Sequence, residues 1–254
     1  RCLRQAPRLH QHRRTSQVRF LGITERPECR QEYGELHRSR PKPAQVRLGR
    51  LAFHLSKRRY LAGRQCALRM WRQQHRPELA APISGFQRAL FSNGKEVAER
   101  ARERFAGGTL IPRDQHWSES VEATHEALRD PTCSVIYQGA FERDGVRVRA
   151  EILERIEAER WHILEVKSTV RTRGSHYDDL ALQCWVIDAS EHLVLERMSI
   201  VTLNRDYVFD GKTLELDHLL RLHDATESLP ERIETISQLT RELITVIENP
   251  EAPV

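Results

Sequence analysis

The sequence has no long apolar run, no closely spaced cysteines and few lysines. No stretch of its 254 residues approaches the ~20 apolar residues that cross a bilayer, so we expect no membrane partner. Its five cysteines, at positions 2, 29, 66, 133 and 184, form no CxxC pair or zinc knuckle. Their odd number and the lack of a signal segment argue against a disulfide framework and favour a cytoplasmic protein. We expect Cys133 and Cys184 to be buried, reduced thiols.

Positive charge is concentrated in the first 50 residues. These carry twelve Arg and one Lys against four Glu, whereas residues 51–254 hold 28 basic and 32 acidic side chains. The first segment has few apolar residues and no regular period, which predicts a basic, flexible tail. Such a tail could bind nucleic acid by counterion release, or it could be a leader without a role. We expect a core domain over residues 51–225, followed by a C-terminal amphipathic helix within 226–254.

Beyond residue 50 the sequence alternates between helical and strand-like patterns. Helical periodicity is present in five segments: a helix that follows the N-cap Ser56 and ends before Pro77, then 85–104, 119–128, 176–189 and 230–249. Strand patterns are present in four segments, which begin at Val135 or cover 146–152, 161–167 and 195–203. The expected fold class is therefore α/β (α+β), with the order α-β-β-β-α-β and a mixed central sheet flanked by helices.

Two of the predicted strands carry charged residues that could perform chemistry. Glu165 and Lys167 share one face of the third strand, and Glu151 lies on the second. If these strands pair, Glu151 lies beside Glu165, and two carboxylates next to an ammonium suit Mg²⁺ or Mn²⁺. The alternative is a solvated strand face with ordinary ion pairs. Only five of the 41 basic residues are lysines, which favours a specific role for Lys167.

The segments around these residues resemble the core of the PD-(D/E)XK nuclease superfamily. Its motif is an acidic residue, then (D/E)-x-K on the following strand, then a helix that bears a glutamine. Residues 149–154, 163–169 and 178–183 match that order, with Gln183 at the RecB-type position. Further segments within 55–79, 139–145 and 203–207 resemble a bacterial family of uncharacterised RecB-like nuclease domains. Together the resemblance covers about residues 51–250.

The resemblance implies a restriction-endonuclease-like fold and a metal-dependent phosphodiesterase that acts on DNA, in repair or defence. The resemblance implies that Glu151 and Glu165 hold Mg²⁺ or Mn²⁺ and that Lys167 assists the attacking water. Gln183 orients the lysine or the substrate phosphate. Catalysis in such a site is mostly positioning and neutralisation of charge around the scissile phosphate.

Several departures from the family pattern favour a second function. The family usually has Asp where this chain has Glu151, and Ala98 stands where RecB-like nucleases often have a histidine. Some relatives hold an iron–sulfur cluster with one early cysteine and three late ones, but no cysteine follows Cys184, so we expect no cluster and a truncated chain. The alternative is therefore a nuclease-fold module whose chemistry has lapsed and which binds nucleic acid or a protein.

Overall fold

The computed structural model describes residues 53–253, and the predicted basic tail lies outside the described residues. Seven strands belong to one sheet: β1 (Leu55–Ser56), β2 (Thr109–Leu110), β3 (Val135–Arg143), β4 (Val146–Glu157), β5 (Arg160–Val166), β6 (Val194–Leu203) and β7 (Leu220–Asp224). The described α-helices are α1 (Lys57–Gln65), α2 (Ala67–His75), α3 (Gly85–Arg104), α4 (Trp117–Arg129), α5 (Gly174–Ile187), α6 (Leu216–Leu219) and α7 (Pro230–Glu248). None of these helices is long and apolar enough to cross a membrane.

Capping side chains define where the first helices begin. Ser56 is the N-cap of α1, as predicted, because its hydroxyl accepts a hydrogen bond from the Arg59 backbone N–H. Ser84 forms a reciprocal capping box with Gln87, and the predicted range of α3 is confirmed. The prediction of one continuous helix from Ser56 to Pro77 is wrong. Cys66 adopts an extended conformation, with a φ of −164°, and divides that segment into α1 and α2.

The sheet has the order β2-β3-β4-β5-β6-β7, and β1 pairs with β4. Strands β3, β4 and β5 form an antiparallel meander, while β6 is parallel to β5 and antiparallel to β7. A parallel neighbour requires a crossover connection, and α5 provides it between β5 and β6. The predicted class, a mixed α/β fold with a mixed central sheet flanked by helices, is confirmed.

Helices cover both faces of the sheet. On the α3 side the buried apolar cluster comprises Ala101, Val135, Tyr137, Ile152, Leu164, Val201 and Leu220. On the other side α5 packs against β3, β4 and β6, and α1 and α7 pack against α5. Every residue of α5 from Asp179 to Ile187 is buried, because the helix lies between the sheet and these outer helices. The polar residues of that stretch must therefore find partners inside the protein.

Short elements at the edges of the sheet were not predicted. Strand β2 has only two residues, and the edge strand β7 has five residues that alternate only weakly between buried and exposed. Strands this short carry little periodic signal of their own, and their pairing with β3 and β6 stabilises them. The burial of Cys133 and Cys184 is confirmed, whereas Cys66 is exposed.

Candidate active site

Five side chains from three elements meet where β5 ends. Glu165 lies near the end of β5, and Lys167 follows the strand directly. Asp179 and Gln183 are four residues apart on α5, so they project from the same side of that helix. Lys57 is the first residue of α1. We call these five residues the Glu165 cluster.

Each carboxylate oxygen of the cluster accepts at least one hydrogen bond from a lysine or from Gln183. Glu165 Oε1 contacts Lys167 Nζ at 2.6 Å and Lys57 Nζ at 3.0 Å, and Glu165 Oε2 accepts from Gln183 Nε2 at 2.9 Å. Asp179 Oδ1 contacts Lys57 Nζ at 3.3 Å and Gln183 Nε2 at 3.2 Å. Asp179 Oδ2 accepts from Lys167 Nζ. Two ammoniums therefore balance two carboxylates.

The two carboxyl groups have opposite pKa shifts. Burial alone would raise the pKa of Glu165, but the charges of Lys167 and Lys57 and the hydrogen bonds from Lys167 and Gln183 outweigh burial and hold that pKa far below its usual range. The pKa of Asp179 is raised, because burial and the negative charge of Glu165 outweigh the same two lysines. Glu165 is therefore the strongly held anion of the cluster, and Asp179 is the carboxyl that protonates first.

Both lysines remain ammonium ions in this environment. Burial would lower the pKa of Lys167, but Glu165 and Asp179 outweigh that effect and raise it. The pKa of Lys57 is also raised, because the same carboxylates outweigh its burial. The Lys57 side chain is 29% exposed and the Lys167 side chain 20%, against 4% for Glu165. The cluster therefore presents its positive charges to solvent and keeps its carboxylates inside.

The structure brings together three of the four predicted site residues and gives the fourth another partner. Glu165, Lys167 and Gln183 are in contact, whereas the Glu151 carboxylate pairs with Arg102 Nη2 at 3.0 Å. The β3–β4 ladder is interrupted opposite Glu151, where Gln138 has a φ of +58°. This irregularity disturbs the regular alternation of side chains that the prediction assumed. The role of Glu151 as a metal ligand stays a prediction.

Lys57 and Asp179 were not predicted to belong to the site. Asp179 had a local signal, because it stands one helical turn before Gln183 and shares its side of the helix. Lys57 is one of only five lysines, but it precedes Glu165 by 108 positions. The pairing of β1 with β4, at Ser56 and Arg147, and the packing of α1 against α5 set the start of α1 against the sheet.

The donor atoms of the cluster suit a hard divalent cation. Glu165 and Asp179 supply carboxylate oxygens, and the buried amide oxygen of Gln183 has no hydrogen-bond partner. These are the ligand types that Mg²⁺ and Mn²⁺ prefer. Within residues 53–253 no three His, Cys, Asp or Glu side chains form a ready metal cage, so an amide oxygen or water must complete the coordination. The chemistry of the donor set fits such a metal.

Neighbouring contacts hold the helix that carries Asp179 and Gln183. Asp178, the preceding residue on α5, pairs with Arg64 of α1 at 3.1 Å and with Arg232 of α7. One carboxylate thus ties together the three helices on this side of the sheet. Its position fixes the rotation of α5 and therefore the direction in which Asp179 and Gln183 project.

A basic and aromatic surface lies near the start of α1. Arg147 and Arg149 of β4 both pack over the ring of Trp117, each with its guanidinium carbon 5.3 Å from the ring centroid. Arg147 is the strand partner of Ser56, the residue before Lys57. Arginine side chains stacked on an aromatic ring are well suited to contact phosphates and bases.

Comparison with known proteins gives no functional assignment. No family model matches the chain, and no curated protein matches it. Among solved structures, the chain is similar to the crystal structure of SSO0001. The alignment covers 87% of this chain and 85% of that chain, with 14% sequence identity and a TM-score of 0.36. Similarity at this level carries no argument about activity. The function of the chain must therefore be inferred from the geometry of the Glu165 cluster.

Proposed function

We propose that the chain is a cytoplasmic, metal-dependent DNA phosphodiesterase of the RecB-like nuclease type, in DNA repair or defence. The observation that carries the proposal is the convergence of Glu165, Lys167 and Gln183, with the last two within 2.9 Å of the Glu165 carboxylate. A buried carboxylate, an ammonium and an amide that hold one another in place form a preorganised electrostatic environment. Such an environment suits the transfer of a charged phosphoryl group.

Glu165 and Asp179 are the residues that would hold Mg²⁺ or Mn²⁺, and Gln183 contacts both of them through its Nε2 atom. When bound, such a metal lowers the pKa of a bound water and polarises a phosphoryl oxygen. Glu151, the other ligand that the family resemblance implies, could contribute only after it leaves Arg102. The proposal therefore assigns a central role to Glu165 and makes the role of Glu151 conditional.

Lys167 acts in this proposal as a fixed positive charge and hydrogen-bond donor. Because Glu165 and Asp179 raise its pKa, Lys167 keeps its proton at neutral pH and is a poor general base in this arrangement. Its partly exposed ammonium can bind a non-bridging oxygen of the scissile phosphate and orient the attacking water. Gln183 keeps the Glu165 carboxylate in one orientation.

DNA is the proposed partner because positive charge faces solvent around the cluster. Lys57 and Lys167 are partly exposed. Arg147 and Arg149 stack on Trp117, and Arg147 is the strand partner of Ser56, the residue before Lys57. Phosphate groups bind to such arrays of ammonium and guanidinium groups.

The second candidate is a nuclease-fold module that binds nucleic acid or a protein without cleaving DNA. Two observations favour it. All four carboxylate oxygens of Glu165 and Asp179 already have donors, and the Glu151 carboxylate has Arg102. In this arrangement the cluster is a charge-balanced structural unit that supports the end of β5.

Cleavage of labelled single- and double-stranded DNA in Mg²⁺, Mn²⁺ or EDTA separates the two candidates. We expect the parent protein to cleave DNA with a metal and to be inactive in EDTA, while Glu165→Gln and Lys167→Met lose cleavage. Lys95→Met is the matched control, because Lys95 is 80% exposed on α3 and pairs with Glu99 on the same helix. Binding of DNA without cleavage in either metal would contradict the proposed function and support the second candidate.

A further inference from the structure

The Lys57 ammonium lies between the two carboxylates that a divalent cation would use. Its Nζ is 3.0 Å from Glu165 Oε1 and 3.3 Å from Asp179 Oδ1. Lys167 Nζ contacts the same two carboxylates, so each of the two lysines holds one cation position in the cluster. Lys57 is therefore both a partner of these carboxylates and a competitor for any other cation.

Lys57 differs from Lys167 in how the chain supports it. Lys167 follows β5 directly, so its backbone is held by the sheet, and its N–H donates to the Val201 carbonyl. Lys57 stands at the first position of α1, and its side chain is the more exposed of the two, at 29%. A long, partly exposed side chain at the start of a helix can leave the carboxylates by a change of rotamer alone.

A second observation points to a ligand other than the lysine. The Gln183 amide donates from Nε2 to Glu165 and Asp179, but its Oε1 atom is buried and has no partner. An ammonium has three N–H donors, whereas a divalent cation takes about six oxygen ligands. Because the Nε2 end of the Gln183 amide faces the two carboxylates, the amide must turn over before its unpartnered Oε1 can serve as a ligand for a metal.

We propose that Lys57 is a built-in competitor that occupies the cation position between Glu165 and Asp179, and that a divalent cation binds there only when Lys57 swings out. This inference rests on the proposed function, because it assumes that the cluster takes a divalent cation. Displacement exchanges one ammonium for a doubly charged ion and releases Lys57 toward solvent. The released ammonium is then free to bind a DNA phosphate, so metal loading and substrate binding become coupled.

The direct test is Mn²⁺ binding to the full chain, followed by electron paramagnetic resonance in the absence of DNA. Lys57→Met removes the ammonium and keeps most of the side-chain volume. We expect it to bind Mn²⁺ at least about tenfold more tightly than the parent, because the competing charge is gone. Lys57→Arg, which keeps the charge, and Lys95→Met, which removes an exposed charge, should both bind like the parent. The double variant Lys57→Met/Glu165→Gln should lose the gain.

Equal affinity of Lys57→Met and the parent would overturn the inference, and so would a gain that persists without the Glu165 carboxylate. If Lys57→Met fails to fold, the parent provides the test by NMR of its lysine side chains. The Lys57 Nζ signal should move to its solvent-exposed position as Mg²⁺ is added, while Lys95 stays unchanged. Binding of Mg²⁺ without movement of the Lys57 signal would overturn the inference.

The binding result can be separated from the proposed function. Tight Mn²⁺ binding by Lys57→Met, combined with no cleavage of DNA by any variant, would contradict the nuclease proposal and support the role of Lys57. Metal-dependent cleavage by the parent, combined with no gain of affinity in Lys57→Met, would support the nuclease proposal and overturn the role of Lys57.

Discussion

Gln183 donates a hydrogen bond from Nε2 to Glu165 Oε2 at 2.9 Å, and neither side chain has more than a trace of exposed surface. The glutamine comes from the crossover helix α5 and the glutamate from strand β5, so this bond joins the helix to the strand that it follows. Because the acceptor is a buried carboxylate, the bond belongs to the stronger class of protein hydrogen bonds.

Replacing Gln183 with leucine should destabilise the fold. The change removes the amide that donates to Glu165 Oε2 and leaves a buried charge less well solvated, which costs about 1–3 kcal/mol. We expect the free energy of unfolding, measured in urea, to fall by that amount. Gln238→Leu is the control, because Gln238 is exposed on α7 and should change stability by less than about 0.5 kcal/mol. Equal effects at the two positions would show that Gln183 does not hold the cluster together.

Neutralising the two carboxylates should have unequal costs. The pKa of Glu165 is lowered, so the folded protein favours its charged form, and Glu165→Gln should cost about 3 kcal/mol at pH 7. The pKa of Asp179 is raised, so folding disfavours its charged form relative to the unfolded chain, and Asp179→Asn should cost less than Glu165→Gln. Urea unfolding of the two variants side by side provides the measurement. A larger loss for Asp179→Asn would reverse our assignment of the strongly held anion.

Glu151 and Arg102 form a partly exposed pair whose removal should be mild. The Arg102 side chain is 26% exposed and the Glu151 side chain is 20% exposed, so solvent weakens the pair. Arg102→Gln should therefore cost less than about 1 kcal/mol. If Glu151 is a metal ligand, Glu151→Asp should keep or increase Mn²⁺-dependent cleavage, and Glu151→Ala should abolish it. Full cleavage by Glu151→Ala would restrict the metal ligands to the Glu165 cluster.

Stability should fall as the pH drops below about 6.5, in part because of His176. Burial lowers the pKa of His176, and the nearby charges of Lys167 and Arg173 lower it further. The unfolded chain therefore binds a proton at this site at a higher pH than the folded chain. The resulting loss of stability is absent above the pKa that His176 has in the unfolded chain. It grows as the pH falls toward the lower pKa of His176 in the folded protein. Melting temperatures from pH 8 to 5 should fall less steeply for His176→Gln than for the parent, and identical slopes would contradict this assignment.

Gly63 marks a close approach between α1 and α7. A Cβ atom there would lie 2.7 Å from Leu243 Cδ2 and 2.9 Å from the Met70 sulfur atom. Gly63→Ala should therefore destabilise the protein by about 1–3 kcal/mol, as overpacking of a core does. Gly174→Ala at the start of α5 is the matched control, since a Cβ there meets no atom within 4 Å and should leave stability unchanged or slightly higher. A tolerated Gly63→Ala would mean that the side chains of Leu243 and Met70 can move aside.

The sequence by itself determined most of the secondary structure. The range of α3, the N-cap at Ser56, the strand that starts at Val135 and the helix that starts at Pro230 all follow from local signals. Such signals are local because a cap, a turn or an apolar period is carried by a few consecutive residues. The contact between Glu165 and Lys167 is of the same kind, since residues two apart on a strand share a face.

Only the tertiary structure decided which distant residues complete the site. Lys57 reaches Glu165 across 108 positions, and Arg102 reaches Glu151 across 49. The predicted juxtaposition of Glu151 and Glu165 assumed regular strands, and the left-handed conformation of Gln138 interrupts that regularity. These contacts depend on strand register and helix packing, which arise from the sum of many weak interactions along the whole chain. No short segment of sequence encodes them, and the partner of each charged side chain was therefore set by the folded protein as a whole.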